Sequence, residues 1–184
     1  TADKKDSTGI CFIGERNFKK FLQNYLPSKP GDIVTMEGDI IGHHDGLMYY
    51  TIGQRKGLGI GGNHDYKNEA WFVCGKDLEK NQLIVGQGHD SDYLISNWCY
   101  ASSLNWICDI PVENKVYQAK FRYRQEDNPV TIEYINSNKM KVIYSKGVRA
   151  VTPGQACVLY NKEECLGGGI IKEVRKNNKK LWYL

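Results

Sequence analysis

The chain has 184 residues, 41% hydrophobic and 25% charged, an ordinary globular composition with room for one domain or two small ones. No apolar run approaches the ~20 residues that span a bilayer. The start, Thr-Ala-Asp-Lys-Lys-Asp, lacks the apolar core of a signal peptide and an initiator Met, so it reads as a cut inside a longer chain. The formal charge of +4 is uneven: residues 1–90 carry 11 basic and 12 acidic side chains, residues 91–184 carry 14 and 9. The basic excess of the second half is where a polyanion is expected, against the alternative of a solvated basic face.

In chain order, the first chemistry sits at Asp6-Ser7-Thr8-Gly9-Ile10-Cys11-Phe12-Ile13-Gly14-Glu15-Arg16. Gly9 and Gly14 bracket Cys11 and allow a loop to present it. Arg16, or the N-terminus of a helix beginning near Glu15, would favour the reactive thiolate. The competing reading is a small buried hydrophobe. From Glu15 to Leu26, Phe18, Phe21, Leu22, Tyr25 and Leu26 recur at helical spacing, and Pro27 and Pro30 end that helix. A strand is expected over 33–36, turned at 37–39 and returned over 40–42. His43-His44-Asp45 invites a metal or general-base reading, but neighbouring histidines point apart in an extended chain and no third ligand is near, so no metal is expected.

Residues 46–53 carry both helical and strand signals, and a short helix ending at Gly53 is favoured. The run Gln54-Arg55-Lys56-Gly57-Leu58-Gly59-Ile60-Gly61-Gly62 fits neither nucleotide-binding glycine motif. It reads as a loop packed on another domain or an RNA backbone, or as a plain tight turn. Strands are expected over 71–75 and 82–86, and a polar hinge over 89–92. Beyond it, strands are expected over 98–101, 115–124, 130–135, 139–144, 156–160, 164–169 and 170–175, the spacing of a small β-barrel. The fold class is therefore mainly β with a small α+β part: a catalytic-cysteine loop or linker over 1–13, a central α+β domain over 14–90, and a C-terminal antiparallel β-barrel over 91–184. On the expected strand 115–124, Arg122 and Arg124 share one face and Tyr123 takes the other, with forks for phosphate and a ring to stack a base. Tyr123 facing the core, with solvated arginines, is the alternative.

Six cysteines, at 11, 74, 99, 108, 157 and 165, form no C-x-x-C pair. The four histidines, at 43, 44, 64 and 89, do not complement them at zinc-finger spacing. A reducing compartment with one reactive cysteine and five structural ones fits better than a secreted disulfide protein.

Three blocks in register resemble one family. They are 6–16, quoted above; Gly46 to Gly62, G-L-M-Y-Y-T-I-G-Q-R-K-G-L-G-I-G-G; and the set F-R-Y-R-Q at 121–125, A-V-T-P-G-Q at 150–155 and C-L-G-G-G-I-I at 165–171. Together they resemble the tRNA-specific 2-thiouridylases. The resemblance implies a barrel like those of translation factors. It also implies replacement of O2 of the wobble uridine by sulfur, after ATP activates that oxygen. Cys11 matches the persulfide cysteine, and Arg122, Tyr123 and Gln155 match tRNA contacts. Arg55, Lys56 and Arg124 are weaker contact candidates. The family's S-G-G-x-D-S loop, which handles ATP, does not occur here, nor does the domain that carries the partner cysteine. The chain therefore resembles the C-terminal half and is expected not to thiolate alone. Implied partners are wobble-uridine tRNAs for Lys, Glu and Gln and a cysteine desulfurase or sulfur-relay protein, in a bacterial cytoplasm without a membrane. An RNA-binding barrel without catalytic residues, and a barrel used for protein contacts, remain the alternatives.

Overall fold

The computed structural model describes residues 24–61, 69–123, 125–181 and 183–184. Cys11, Arg124 and nearly all of the helix expected over 15–26 lie outside the described residues. Strands dominate, and the described helical residues form two single 3-10 turns, Leu47–Tyr49 and Asp92–Leu94.

The first sheet has four strands: β1 (Gly31–Thr35), β2 (Ile40–His44), β3 (Trp71–Asp77) and β4 (Gln82–Gln87). Their order is β2-β1-β4-β3. Two antiparallel hairpins, β1/β2 and β3/β4, join through a parallel pairing of β1 with β4. Ile33-Val34-Thr35, Phe72-Val73-Cys74 and Leu83-Ile84-Val85 are each buried along three consecutive residues. Such runs mean that both faces of the sheet are covered. The β3–β4 turn is closed by the Lys80 N–H, which donates to the Asp77 carboxylate at 2.9 Å. Asn81 then donates to the Pro30 carbonyl at 2.7 Å, fixing the entry to β1.

The short helix expected before Gly53 is a correction. One 3-10 turn ends at Tyr49, Tyr50 is extended, and a turn follows in which the Gln54 N–H donates to the Thr51 carbonyl at 3.0 Å. The turn places a glycine at positive φ, which ends any helical run. Gly53, at φ +82°, lets the segment dock on β3. Its N–H donates to the Val73 carbonyl at 2.7 Å, and the Val73 N–H donates to Gln54 at 2.9 Å.

The second sheet holds β5 (Ile95–Trp106), β6 (Tyr117–Lys120), β7 (Asn128–Asn136), β8 (Lys139–Arg149), β9 (Ala156–Asn161), β10 (Glu164–Lys176) and β11 (Lys179–Lys180). The order is β11-β10-β5-β8-β7-β6-β9, and β9 pairs back onto β10. Six strands thus close an antiparallel barrel, with β11 as an appendage. Cys99, Ala101, Ala119, Ile132, Met140, Val142, Cys157, Leu159 and Ile171 fill it and are fully buried. They fall at alternate positions of their strands, as one inward face requires.

Several expected strands change length. β5 covers twelve residues where four were expected. β10 is one strand where two were expected, because the glycines at 167–169 continue the ladders to β5 and β9. The strand expected over 115–124 is confined to β6. The two sheets share one continuous apolar core. The C-terminal segment ties them: the Lys76 N–H donates to the Tyr183 carbonyl at 2.8 Å, and the Tyr183 hydroxyl donates to the Tyr93 carbonyl at 2.7 Å.

Candidate nucleic-acid interface

Phe121 anchors the end of β6. It is 1% exposed and packs edge-on to Tyr144 at 5.1 Å. The chain then turns. The Phe121 N–H donates to the Gln125 side-chain oxygen at 3.0 Å, and the Gln125 N–H donates to the Arg122 carbonyl at 3.2 Å. Arg122 and Tyr123 therefore lie in this turn, and the expected face-by-face alternation along a strand is corrected. The turn separates the two side chains in another way. Tyr123 is 75% exposed. Arg122 folds back against the first unit, donating from Nη2 to the Ile52 carbonyl at 2.8 Å and to Thr152 Oγ1 at 3.2 Å. Burial, and then the like charge of Arg149, lower the Arg122 pKa from its ordinary value.

Gln155 reaches the same place from the other side. Gly154, at φ +86°, makes the turn into β9. The Gly154 N–H donates to the Ile171 carbonyl at 2.8 Å, and the Ile171 N–H donates to the Gln155 carbonyl at 2.9 Å. With its backbone so held, exposed Gln155 shares one cavity of about 240 Å³ with Arg122 and Tyr123. Lys120 and Tyr160 line it too. They come together because β6 pairs with β9, setting Lys120 opposite Val158 and Gln118 opposite Tyr160. Lys120 Nζ lies 3.6 Å from the Asp127 carboxylate and 5.9 Å from the centre of the Tyr160 ring. The cavity thus combines two cations, two phenol rings and an amide that both donates and accepts. These are the groups that hold a phosphate, stack a base and read its edge.

Arg55 and Lys56 are exposed but stand elsewhere. Arg55 lines a separate cavity of about 530 Å³ with Glu69, Phe72 and His89. Part of the basic excess is also committed to covering rings on the barrel wall. Lys139 lies over Tyr100 at 4.2 Å, and Lys141 and Arg175 each lie over Trp98 at 5.1 Å.

His43 and His44 point apart. The His43 side chain is exposed and its Nδ1 sits 3.0 Å from Asp32. His44 is 1% exposed, and its Nε2 lies 3.1 Å from the Asn81 carbonyl. A carbonyl can only accept, so Nε2 carries a proton. Burial lowers its pKa from the usual value. The unfolded chain therefore takes up a proton near pH ~6.5 that the folded chain refuses. Stability is expected to fall as pH drops from about 6.5 through the depressed folded pKa, with a slope of at most about 1.4 kcal/mol per pH unit from this group. His44→Gln should flatten that slope in urea melts compared between pH 7 and pH 5.5. An unchanged slope would show that His44 is not the acid-sensitive group.

Comparison with known proteins adds the decisive observation. Residues 19–87 match a family model described as a tRNA methyl transferase PRC-barrel domain, and residues 96–171 match one described as an aminomethyltransferase beta-barrel domain. The tRNA-specific 2-thiouridylase MnmA of Bacillus subtilis (strain 168) is 57% identical over 186 residues, covering 100% of this chain and 49% of the relative. Those of Lysinibacillus sphaericus (strain C3-41) and Lacticaseibacillus paracasei are 55% and 56% identical over 185 residues, again covering 100% of this chain and 48% and 49% of each relative. The chain belongs to the tRNA-specific 2-thiouridylase family. It spans about half the length of the curated relatives it matches. The methyl-transferase wording of the domain descriptions and the 2-thiouridylase names of the relatives differ. The relatives carry more weight, because each match runs over the whole chain at more than half identity.

Within the 2-thiouridylase frame, the glycine-rich block has a structural explanation. Gly57 and Gly59 turn at φ +77° and +65°, while Leu58 between them is buried. Gln54 braces the turn, its side-chain oxygen accepting from the Thr51 N–H and its amide donating to the Lys56 carbonyl, both at 2.9 Å. The described part of this block opens no helix, so it does not fit the phosphates of ATP in the way a glycine loop at a helix N-terminus does. Among the described residues no group of three or more His, Cys, Asp or Glu side chains could hold a metal ion. No helix among them is long and apolar enough to cross a membrane.

Proposed function

We propose that the chain is the C-terminal half of a tRNA 2-thiouridine synthase, contributing the sulfur-carrying cysteine, Cys11, and a surface that holds tRNA. The observation that carries the RNA part is the convergence of Arg122, Tyr123 and Gln155 on one cavity, from two turns more than thirty residues apart. The sulfur part rests on the 6–16 motif. The outer sulfur of a Cys11 persulfide would attack C2 of the wobble uridine and expel the ATP-activated oxygen as AMP, and a partner cysteine would then break the S–S bond to Cys11 by forming a disulfide with it; activation by ATP and the partner cysteine both fall to residues outside this chain. The same reading carries the wobble-uridine tRNAs for Lys, Glu and Gln, a cysteine desulfurase or relay protein as sulfur donor, and a bacterial cytoplasmic setting. The reading divides the chain at 1–13, 14–90 and 91–184, and a first sheet that ends at Gln87 with a second that begins at Ile95 supports the division near 90.

The test of the RNA surface must spare the fold. Arg122 is a poor probe, since its removal also strips a hydrogen bond to the first unit, at Ile52, and one within the barrel unit, at Thr152. Tyr123→Ala and Gln155→Ala change exposed side chains. tRNA binding by the chain is expected to fall with salt at a log–log slope of about −0.7 to −0.9 per phosphate neutralised. Tyr123→Ala should cost about 1–3 kcal/mol, roughly five- to a hundred-fold in affinity, if the ring stacks a base. A flat salt response, with both variants binding like the wild type, would leave a barrel used for protein contacts.

A further inference from the structure

The pairing of β5 with β10 continues one step beyond the ladder and brings two cysteines close together. Trp106 stands opposite Gly167 in that ladder. Past it, the Ile107 N–H donates to the Leu166 carbonyl at 3.0 Å, in unchanged register. Carried one residue further, that register sets Cys108 opposite Cys165, at the position that follows a hydrogen-bonded pair. Opposed residues at such positions point to the same face, with Cα atoms about 4.5 Å apart. That lies at the short end of the ~4.4–6.8 Å range that a disulfide spans. Cys108 Sγ lies 3.8 Å from the Cys165 carbonyl oxygen, over its partner's backbone. Both are free thiols; Cys108 is exposed and Cys165 partly so, whereas Cys74, Cys99 and Cys157 are buried.

We propose that Cys108 and Cys165 form a cross-strand dithiol that a low-molecular-weight disulfide oxidises reversibly to an intramolecular disulfide. Cys108, the more accessible thiol, loses its proton to solvent and attacks one sulfur of the small disulfide. The small S–S bond breaks and its other half leaves as a thiolate, giving a mixed disulfide on Cys108. The Cys165 thiolate attacks the Cys108 sulfur and expels the second small thiolate. The two cysteines lose two electrons and two protons, and the small disulfide becomes two thiols. Glu164 accepts a hydrogen bond from the Cys108 thiol and, with Asp109, disfavours its thiolate, so the first attack is the slow step. Cys108 is exposed, so small thiols reach the product and reduce it, which suits a reversible mark and not a permanent staple. The site abuts the candidate interface, because Cys165 stands opposite Tyr160 on its other side. It does not depend on the chain's handling RNA.

The test is exposure of the folded, reduced chain to oxidised glutathione, followed by digestion without reductant and mass spectrometry. The expected result is loss of two free thiols, a mass lower by two hydrogens, a Cys108–Cys165 linked peptide, and full reversal by dithiothreitol. Cys108→Ser should abolish that peptide while leaving the circular dichroism unchanged. A stable glutathione adduct on Cys108 with Cys165 still free would overturn the proposal. So would a link from Cys108 to any other cysteine, or a Cys108–Cys165 link that forms only in denaturant.

Discussion

Gly168→Ala is expected to lower the melting temperature by roughly 10 °C, or to prevent the barrel from closing. A Cβ at Gly168 would fall on the Cys157 carbonyl oxygen, 2.9 Å from the carbonyl carbon and 3.0 Å from the Val158 Cα. All three atoms are backbone of β9, so no side chain can rotate out of the way. The neighbouring glycines are crowded from the other side: Gly167 faces the Asn105 carbonyl, and a Cβ at Gly169 would lie 2.7 Å from Leu104 Cδ2 and 2.8 Å from the Ser102 oxygen. The three glycines therefore sit where β10 is gripped by β5 on one edge and by β9, the closing strand, on the other. Relief would need β9 to move, and its ladder to β6 moves with it. Overpacking usually costs about 1–3 kcal/mol, and a clash with hydrogen-bonded backbone belongs at the upper end. At roughly 2–4 °C per kcal/mol, the melt should shift visibly. Gly61→Ala is the control, since among the described residues a Cβ there meets nothing within 4 Å. Thermal melts that agree to within a degree or two for both variants would show that the seam is looser than its backbone distances imply.

The same glycines show what the sequence did and did not disclose. The expected strand 164–169 ended on them and a second began at 170, although glycine in a strand can also mark a close approach of another backbone. Their use is set by what lies beside them, and β5 and β9 are not neighbours of β10 in any local sense. β5 itself was underestimated, since Ser102, Ser103 and Asn105 look like turn residues and Ser103 does adopt φ +56°. The two hairpins of the first sheet were legible from their turns, but not the parallel joining of β1 to β4. The candidate site divides in the same way. Arg122, Tyr123 and Gln155 could be named from motif resemblance. Lys120 and Tyr160 could not, because only the β6–β9 pairing puts them beside the others. Strand alternation also sent Arg122 outward, whereas the turn closed by Gln125 sends it to the Ile52 carbonyl. Arg149 carried no signal at all, yet it donates to the His89 carbonyl at 2.8 Å and lies over Phe72 at 4.9 Å, bracing the two units together.

In the longer enzyme of which we propose this chain to be part, Cys11→Ser should reduce 2-thiouridine formation to background while tRNA binding survives. Serine keeps the size of cysteine but cannot carry a transferable second sulfur, so the change removes the chemistry and little else. Four of the five described thiols are poor substitutes. Burial pushes Cys74 and Cys157 up to about 12 and raises Cys99 well above its ordinary value. The reactive form is the thiolate, so these three are inert at neutral pH. Cys108 is accessible, but Glu164 beside it raises its pKa and so lowers its thiolate fraction. The three buried thiols cannot take over sulfur transfer without a change in their surroundings. The paired measurement separates the two ways in which the reading can fail. If thiolation and binding both disappear, the substitution has damaged the fold around the 6–16 loop, and Cys11→Ala with a melting curve decides whether the loss is chemical. If thiolation persists at the wild-type rate, Cys11 carries no sulfur. The cavity formed by Arg122, Tyr123 and Gln155 would then belong to a tRNA-holding module that serves a catalytic site built wholly from other residues.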